Sequence, residues 1–102
     1  MEEPVLRSIE VEVRIESGLH ARPAANFVRA AAGFDSVIRL ENVTLGGPSA
    51  DARSLVGILT TGVEQGHLVR ITADGPDDDE AVVALRDLLA GVGEAASDRA
   101  GD

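Results

Sequence analysis

The sequence predicts an α+β fold in which a four-stranded antiparallel sheet is covered by helices on one side. Three observations predict it: period-2 apolar alternation in some segments, helical apolar spacing in others, and glycine or proline turn signals between them. A chain of 102 residues is the size of one domain. We expect residues 1–94 to form that domain and residues 95–102, which have little to bury, to form a disordered tail.

The first two elements have the strongest patterns. From Val5 to Ile15, apolar residues alternate with charged ones, which is typical of a strand buried on one face. After Ser17-Gly18, the segment from Ala21 to Ala32 has helical spacing. Pro23 suits its first turn, and Gly33 suits a left-handed cap after its end. The apolar helix positions are Ala24, Phe27, Val28 and Ala31.

A weaker pattern predicts three short elements in the middle of the chain. Val37 to Val43 alternates as a second strand, and Gly46-Gly47-Pro48 turns the chain into a short third strand. Ser54 can cap a brief helix from Leu55 to Thr61, which Gly62 would end.

The last strand and helix follow two further turns. His67 to Ala73 forms the strand, bounded by Gln65-Gly66 and Asp74-Gly75-Pro76. The acidic run from Asp77 to Glu80 then places negative charge at the positive end of a helix. The residues expected to face the core from this helix are Val82, Leu85, Leu89 and Val92.

Composition excludes several classes of function. All nine basic residues are arginine and there is no cysteine, which excludes catalytic lysines, thiolate nucleophiles and disulfides. A net charge of -9 with 2% aromatic residues argues against nucleic acid as a partner. The chain has no apolar run that could cross a bilayer and begins with an acidic segment, so we expect a cytoplasmic protein without membrane insertion.

The segment with the most chemical content is Ser17-Gly18-Leu19-His20-Ala21-Arg22-Pro23. It puts His20 just before a helix whose first N–H groups lack internal partners and attract anions. A phosphoryl group on a neutral His20 nitrogen would be stabilised by those groups and by Arg22, while Gly18 would permit the backbone bend. The same residues would also fit an ordinary exposed helix start without function.

The stretch Gly18-Leu19-His20-Ala21-Arg22-Pro23-Ala24 resembles the active-site signature of the HPr family, the histidine phosphocarriers of the bacterial phosphoenolpyruvate-dependent sugar phosphotransferase system. Further segments resemble the family in the same order, from about Val5 to Val92. These segments are Phe27-Val28, Gly33-Phe34, Ala52-Arg53-Ser54-Leu55, Thr61-Gly62-Val63-Glu64-Gln65-Gly66 and Ile71-Thr72-Ala73.

The resemblance implies an open-faced β-sandwich and a carrier rather than an enzyme. His20 would accept phosphate on Nδ1 from phospho-enzyme I and pass it to IIA domains of sugar permeases, with Arg22 stabilising the transferred group. No cofactor or metal is implied, and we expect a monomer. Partner contacts would come from an apolar patch of Leu55, Val56 and Leu59, for which core packing is the alternative, and from Arg29 and Arg53.

Ser54 falls where the family carries a regulatory phosphorylation site, used by a dedicated kinase and phosphatase. Its other interpretation is a helix N-cap alone. The chain departs from the family pattern in having about three extra residues between Glu41 and Gly46, which leaves the hairpin register open. His67 has no arginine or paired carboxylate nearby in the sequence, so we expect a surface residue without function.

Two alternative functions remain at this point. One is a paralogue of the carrier in the nitrogen-related branch of the phosphotransferase system. The other is a small phosphohydrolase of the acylphosphatase kind, although its arginine loop motif is missing.

Overall fold

A computed structural model describes residues 7–92 of the chain, so the predicted tail at 95–102 lies outside the described residues. Seven elements follow one another in the predicted order. They are β1 (Arg7–Glu12), α1 (Ala21–Ala32), β2 (Val37–Asn42), β3 (Ala50–Asp51), α2 (Leu55–Thr60), β4 (Leu68–Asp74) and α3 (Asp78–Leu89).

The four strands form one antiparallel sheet in the order β1-β4-β2-β3. The central strand β4 alternates along its length: Val69, Ile71 and Ala73 are buried, whereas the side chains between them remain partly exposed. The buried face packs against α3, which in turn contacts α1, because an alternating strand offers all its apolar side chains to one side. The α+β class, with helices on one face of a four-stranded antiparallel sheet, is confirmed.

The opposite face of the sheet is polar and is held by a cross-strand cluster. The Arg70 guanidinium on β4 donates to Glu10 on β1 at 2.7 Å and to Glu41 on β2 at 2.8 Å. Hydrogen bonds to both carboxylates raise the pKa of Arg70. The cluster links β1 and β2, the two strands beside β4, to that central strand.

The strand predicted from Val5 to Ile15 is shorter in the structure. It ends at Glu12, although Val13 and Ile15 remain buried. The N–H groups of Arg14 and Ile15 donate to the Leu89 carbonyl at the end of α3 instead of to a strand. Packing against α3 therefore draws the chain out of the sheet while its apolar residues stay in the core.

The first helix has the predicted bounds, with Ala24, Phe27 and Ala31 buried. The prediction of a left-handed cap at Gly33 is wrong, since that residue has φ -79° and ψ -5°. Its N–H donates to Ala30, and the N–H of Phe34 donates to Ala31. These bonds close the last turn in the right-handed conformation, which needs no positive φ.

The last helix buries Val82, Leu85 and Leu89 as predicted. The prediction for Val92 is wrong: its side chain is 58% exposed. The helix ends at Leu89, and Gly91 has φ +79°. This turn breaks the helical spacing that would have kept Val92 on the core face.

The start of α3 is fastened to the loop that follows α1. Asp77 accepts hydrogen bonds from the N–H groups of Asp35 and Ser36 and from the Ser36 hydroxyl, at 2.6–3.0 Å. These hydrogen bonds lower the pKa of Asp77, and the bond from the Ser36 hydroxyl has the largest effect. The acidic run therefore anchors a loop as well as lying at the helix terminus.

Candidate functional site

His20 is the residue immediately before α1 and has an extended backbone, with φ -88° and ψ -164°. Its side chain is 59% exposed. The first turn of α1 contains no acidic residue, so no carboxylate of the helix itself occupies its positive end. The Ala24 N–H donates to the His20 carbonyl and Pro23 has no N–H, which leaves the N–H groups of Ala21 and Arg22 available to an anion.

A carboxylate from a distant loop contacts the imidazole. The Nε2 atom of His20 lies 3.1 Å and 3.2 Å from the two carboxylate oxygens of Glu64. The two residues are 44 positions apart in the chain. Among residues 7–92, Nδ1 of His20 has no hydrogen-bond partner, so the ring presents one engaged and one free nitrogen.

The loop of Glu64 approaches the loop of His20 because position 18 is a glycine. Gly18 has φ +65°, and a Cβ there would lie 2.5 Å from the Val63 carbonyl oxygen and 2.7 Å from the Glu64 Cα. The N–H of Leu19 donates to the same Val63 carbonyl at 3.0 Å. Gly18 was predicted to bend the backbone; the structure adds that it allows two loops to touch.

Glu64 was not among the residues predicted to form the site. It lies in one of the segments that resemble the HPr family, but a single glutamate in a turn has no spacing relation to His20. Its proximity depends on the pairing of β4 with its neighbours and on the loop contacts, neither of which is visible in local sequence.

The structure places the predicted arginines at three different positions. Arg22 is exposed in the first turn of α1 and makes no hydrogen bond or ion pair with any residue of the described region. Arg29 lies in the last turn, where it donates to Asn26. The Arg53 guanidinium donates to the Phe34 carbonyl. Of the three, Arg22 is the one at the same helix terminus as His20.

Ser54 caps α2, as predicted. Its Oγ accepts a hydrogen bond from the Gly57 N–H at 2.9 Å, and its own N–H donates to Asp51. The helix ends one residue before the predicted Thr61, and Gly62 follows with φ +67°. The cap accounts for a serine at this position and uses its hydroxyl oxygen as an acceptor.

The three apolar residues predicted to form a patch are exposed. Val56 is 72% exposed, and Leu55 and Leu59 are each 41% exposed, whereas Ile58 of the same helix is fully buried. Ile58 therefore anchors α2 in the core, and the alternative of core packing does not hold for the other three. An exposed apolar cluster on a short helix is typical of a contact surface.

His67 was predicted to be a surface residue without function, but the structure places it less exposed and in contact with two other segments. The side chain is partly buried, and its Nδ1 lies 3.2 Å from both the Asn42 amide nitrogen and the Glu64 backbone nitrogen. Asn42 also donates to the Thr61 carbonyl. His67 therefore helps to fix the loop that carries Glu64, through partners that are remote in the sequence.

Two kinds of feature are not found in the described part of the chain. Among residues 7–92, no group of three or more histidine, aspartate or glutamate side chains is arranged to hold a metal ion. None of the helices in that range combines the length and apolar character needed to cross a bilayer.

Comparison with known proteins gives a match over almost the whole described region. A family model described as the PTS HPr component phosphorylation site matches residues 7–91. A phosphocarrier protein HPr of Vibrio cholerae is 48% identical in an alignment 83 residues long, which covers 78% of this chain and 94% of that protein.

Two solved structures from Thermoanaerobacter tengcongensis have the same fold. One, described as HPr-C-His, is 40% identical, with a TM-score of 0.77 over 85% of this chain and 96% of that chain. The other, described as an HPr dimer, is 41% identical, with a TM-score of 0.61 over 86% of this chain and 92% of that chain.

Proposed function

The chain belongs to the HPr family and is a phosphocarrier of the phosphotransferase system, and from this premise we propose that Nδ1 of His20 is the atom that carries the phosphoryl group. One observation supports this most strongly: the exposed imidazole lies at the N-terminus of α1, where Nε2 is occupied and Nδ1 has no partner among residues 7–92. The carrier function holds over the phosphohydrolase that the sequence left open.

The transfer step needs no general base. The lone pair of Nδ1 attacks the phosphorus of the phosphorylated donor, and a nitrogen–phosphorus bond forms as the donor's bond to phosphorus breaks. The donor keeps the electron pair of the broken bond. Transfer to the acceptor runs the same step in the opposite direction, with His20 as the leaving group.

The charge of the phosphoryl group is stabilised by Arg22 and by the helix terminus. The Arg22 guanidinium has no other partner within residues 7–92 and lies two positions after His20, where it can form charge-assisted hydrogen bonds to phosphate oxygens. The N–H groups of Ala21 and Arg22 add the positive end of the helix dipole.

The partners we propose are enzyme I as donor and IIA domains of sugar permeases as acceptors. Both would dock on the patch of Leu55, Val56 and Leu59, with Arg29 and Arg53 as further contacts. Such a carrier works stoichiometrically rather than as an enzyme, because the group that it accepts stays bound until the next partner removes it. We propose that it works as a monomer in the cytoplasm.

Labelling with phosphoenolpyruvate and enzyme I tests this proposal. We expect one acid-labile phosphoryl group per chain, none on His20→Ala, and slower labelling of Arg22→Ala. Arg7→Ala, which removes an exposed arginine from the start of β1, outside the proposed site and docking surface, is the matched control and should be labelled with little change. Full labelling of His20→Ala, or repeated turnover of an acyl phosphate by the chain alone, would contradict the proposal.

Ser54 is the proposed point of regulation. We propose that phosphorylation of Ser54, by a kinase that acts on HPr, places negative charge beside the surface that enzyme I must approach and slows transfer to His20. The partly buried position of Ser54 at the start of α2, next to the exposed patch, supports this. Incubation of the chain with such a kinase and ATP, followed by peptide mapping, tests whether Ser54 is the residue modified.

A further inference from the structure

We propose that Glu64 is a positioning residue for phosphoryl transfer: its carboxylate holds the single proton of the neutral His20 imidazole on Nε2 and so leaves the lone pair on Nδ1. This inference rests on the proposed function of His20 as the phosphate-carrying residue. It assigns to this loop a role that extends beyond supporting the fold.

The geometry allows the neutral imidazole only one of its two tautomers. Both Glu64 oxygens lie within 3.2 Å of Nε2, and an ionised carboxylate can only accept hydrogen bonds. Nε2 must therefore carry the hydrogen. A neutral imidazole has one N–H, so the lone pair needed for attack on phosphorus is left on Nδ1.

The carboxylate is held in place through its backbone. The Glu64 N–H faces Nδ1 of His67, and the Glu64 carbonyl accepts from the His67 N–H at 3.0 Å. The preceding residue, Val63, accepts from Leu19 next to the imidazole. The two loops are thus fixed to each other independently of the Glu64 side chain, so removing the carboxylate should leave the loop in place.

The same carboxylate has a second effect during transfer. When Nδ1 gives its lone pair to phosphorus while Nε2 keeps its hydrogen, the ring acquires positive charge. The Glu64 carboxylate lies at the Nε2–H, where it stabilises that charge, as a buried aspartate does for the imidazolium of a catalytic triad. The two ring nitrogens point away from each other, so the carboxylate does not compete with phosphate for the same nitrogen.

The size of the effect is limited by solvent. The side chains of His20 and Glu64 are 59% and 55% exposed, and exposed ion pairs are worth about 0.2–1 kcal/mol. Loss of the carboxylate should therefore slow transfer by roughly 1.4- to fivefold. A much larger loss is not expected, because Arg22 and the helix terminus remain.

Two variants at position 64 separate the hydrogen bond from the charge. Glu64→Ala removes both, whereas Glu64→Gln keeps an amide oxygen that can accept from Nε2–H but loses the negative charge. Glu80→Gln removes one negative charge from the exposed start of α3 and is the matched control for net charge. The readouts are ring nitrogen NMR shifts of His20 at a pH where histidine is neutral, and the rate of phosphorylation by enzyme I and phosphoenolpyruvate.

We expect the Nε2–H form in the wild-type chain and in Glu64→Gln, and a shift toward the mixture of tautomers of a free imidazole in Glu64→Ala. The transfer rate should fall in the order wild type, Glu64→Gln, Glu64→Ala, with Glu80→Gln equal to wild type. Unchanged ring shifts in Glu64→Ala, or transfer as fast as or faster than wild type, would overturn the inference. If the wild-type chain itself takes no phosphate on His20, the proposed function fails instead, whatever the ring shifts show.

Discussion

At the scale of single residues, His20 combines exposure with a fixed environment. Its ring is exposed to solvent, yet the Glu64 carboxylate contacts Nε2 and the residue directly precedes the N-terminus of α1. A carrier needs both properties, because two partners in turn must reach one nitrogen without a pocket around it. The contact between two loops at Gly18 makes this arrangement possible.

We predict that Gly18→Ala destabilises the protein far more than the same change at a free turn. A Cβ at position 18 would collide with the backbone of Val63 and Glu64, and the alanine would also have to adopt a positive φ. Strain and overpacking together should lower the free energy of unfolding by roughly 2–5 kcal/mol. Urea unfolding, monitored by far-UV circular dichroism, measures the difference.

Gly46→Ala is the control for the backbone term. Gly46 has φ +79° with nothing within 4 Å of the added Cβ, so only the strain of the left-handed conformation remains, about 1 kcal/mol. Equal losses of unfolding free energy in Gly18→Ala and Gly46→Ala would contradict the close contact between the two loops at Gly18.

At the scale of elements, the short helix α2 depends on its cap. Its six residues are too few for intrinsic helix stability, so the Ser54 cap and the buried Ile58 must hold it. We predict that Ser54→Ala lowers the free energy of unfolding by about 1 kcal/mol. Ser54→Asp should retain the cap and the stability, since aspartate is an equally good N-cap.

The same two variants distinguish the cap from regulation. If negative charge at this position hinders the approach of enzyme I, Ser54→Asp should slow phosphorylation of His20, whereas Ser54→Ala should be phosphorylated at nearly the wild-type rate at a temperature where it is folded. A normal rate for Ser54→Asp would contradict the proposed regulatory role and leave Ser54 a structural residue.

Asp77, at the start of α3, makes the stability of the fold depend on pH in the acid range. Hydrogen bonds from Ser36 and Asp35 lower the pKa of Asp77 below that of an unfolded aspartate. A lowered pKa contributes stability that is fully present above the unfolded value, near 3.9, and is lost as the pH falls toward the folded value. We predict that wild type is more stable than Asp77→Asn at neutral pH, and that this difference shrinks below about pH 4.

Thermal unfolding of both chains across that pH range measures the effect. Asp74→Asn, at the exposed end of β4, removes the same charge and is the control. A difference between wild type and Asp77→Asn that stays constant through the acid range would contradict the role of the ionised carboxylate.

At the scale of the whole molecule, the residues that stabilise the fold are separate from those proposed to contact partners. The core fills the space between the sheet and the helices, whereas the exposed patch and His20 face solvent. We predict that Phe27→Ala, which empties a fully buried site, lowers the free energy of unfolding by about 3–5 kcal/mol. Val56→Asp should leave stability within about 0.5 kcal/mol but slow phosphoryl transfer from enzyme I.

Chemical denaturation and transfer kinetics on the two variants check this separation. The Phe27→Ala protein, assayed at a temperature where it remains folded, should transfer phosphate at close to the wild-type rate. A large loss of stability in Val56→Asp would mean that this side chain supports the fold rather than partner contact.

The sequence by itself determined the features that depend on neighbouring residues. The bounds of α1, the alternation of β4, the Ser54 cap and the His20–Arg22 motif could all be predicted, because helical spacing, strand periodicity and capping act over a few positions. The order of the elements then determined the fold class.

Only the tertiary structure decided the features that join distant parts of the chain. These are the sheet order, the β2–β3 register of Arg39 with Asp51, the end of β1, and the contact of Glu64 with His20. Each depends on which surfaces pack together across tens of residues, so local periodicity carries no signal for it. The role of His20 could therefore be predicted from the sequence, whereas the contact of the Glu64 carboxylate with its ring depends on the placement of β4 and of the loop that precedes that strand.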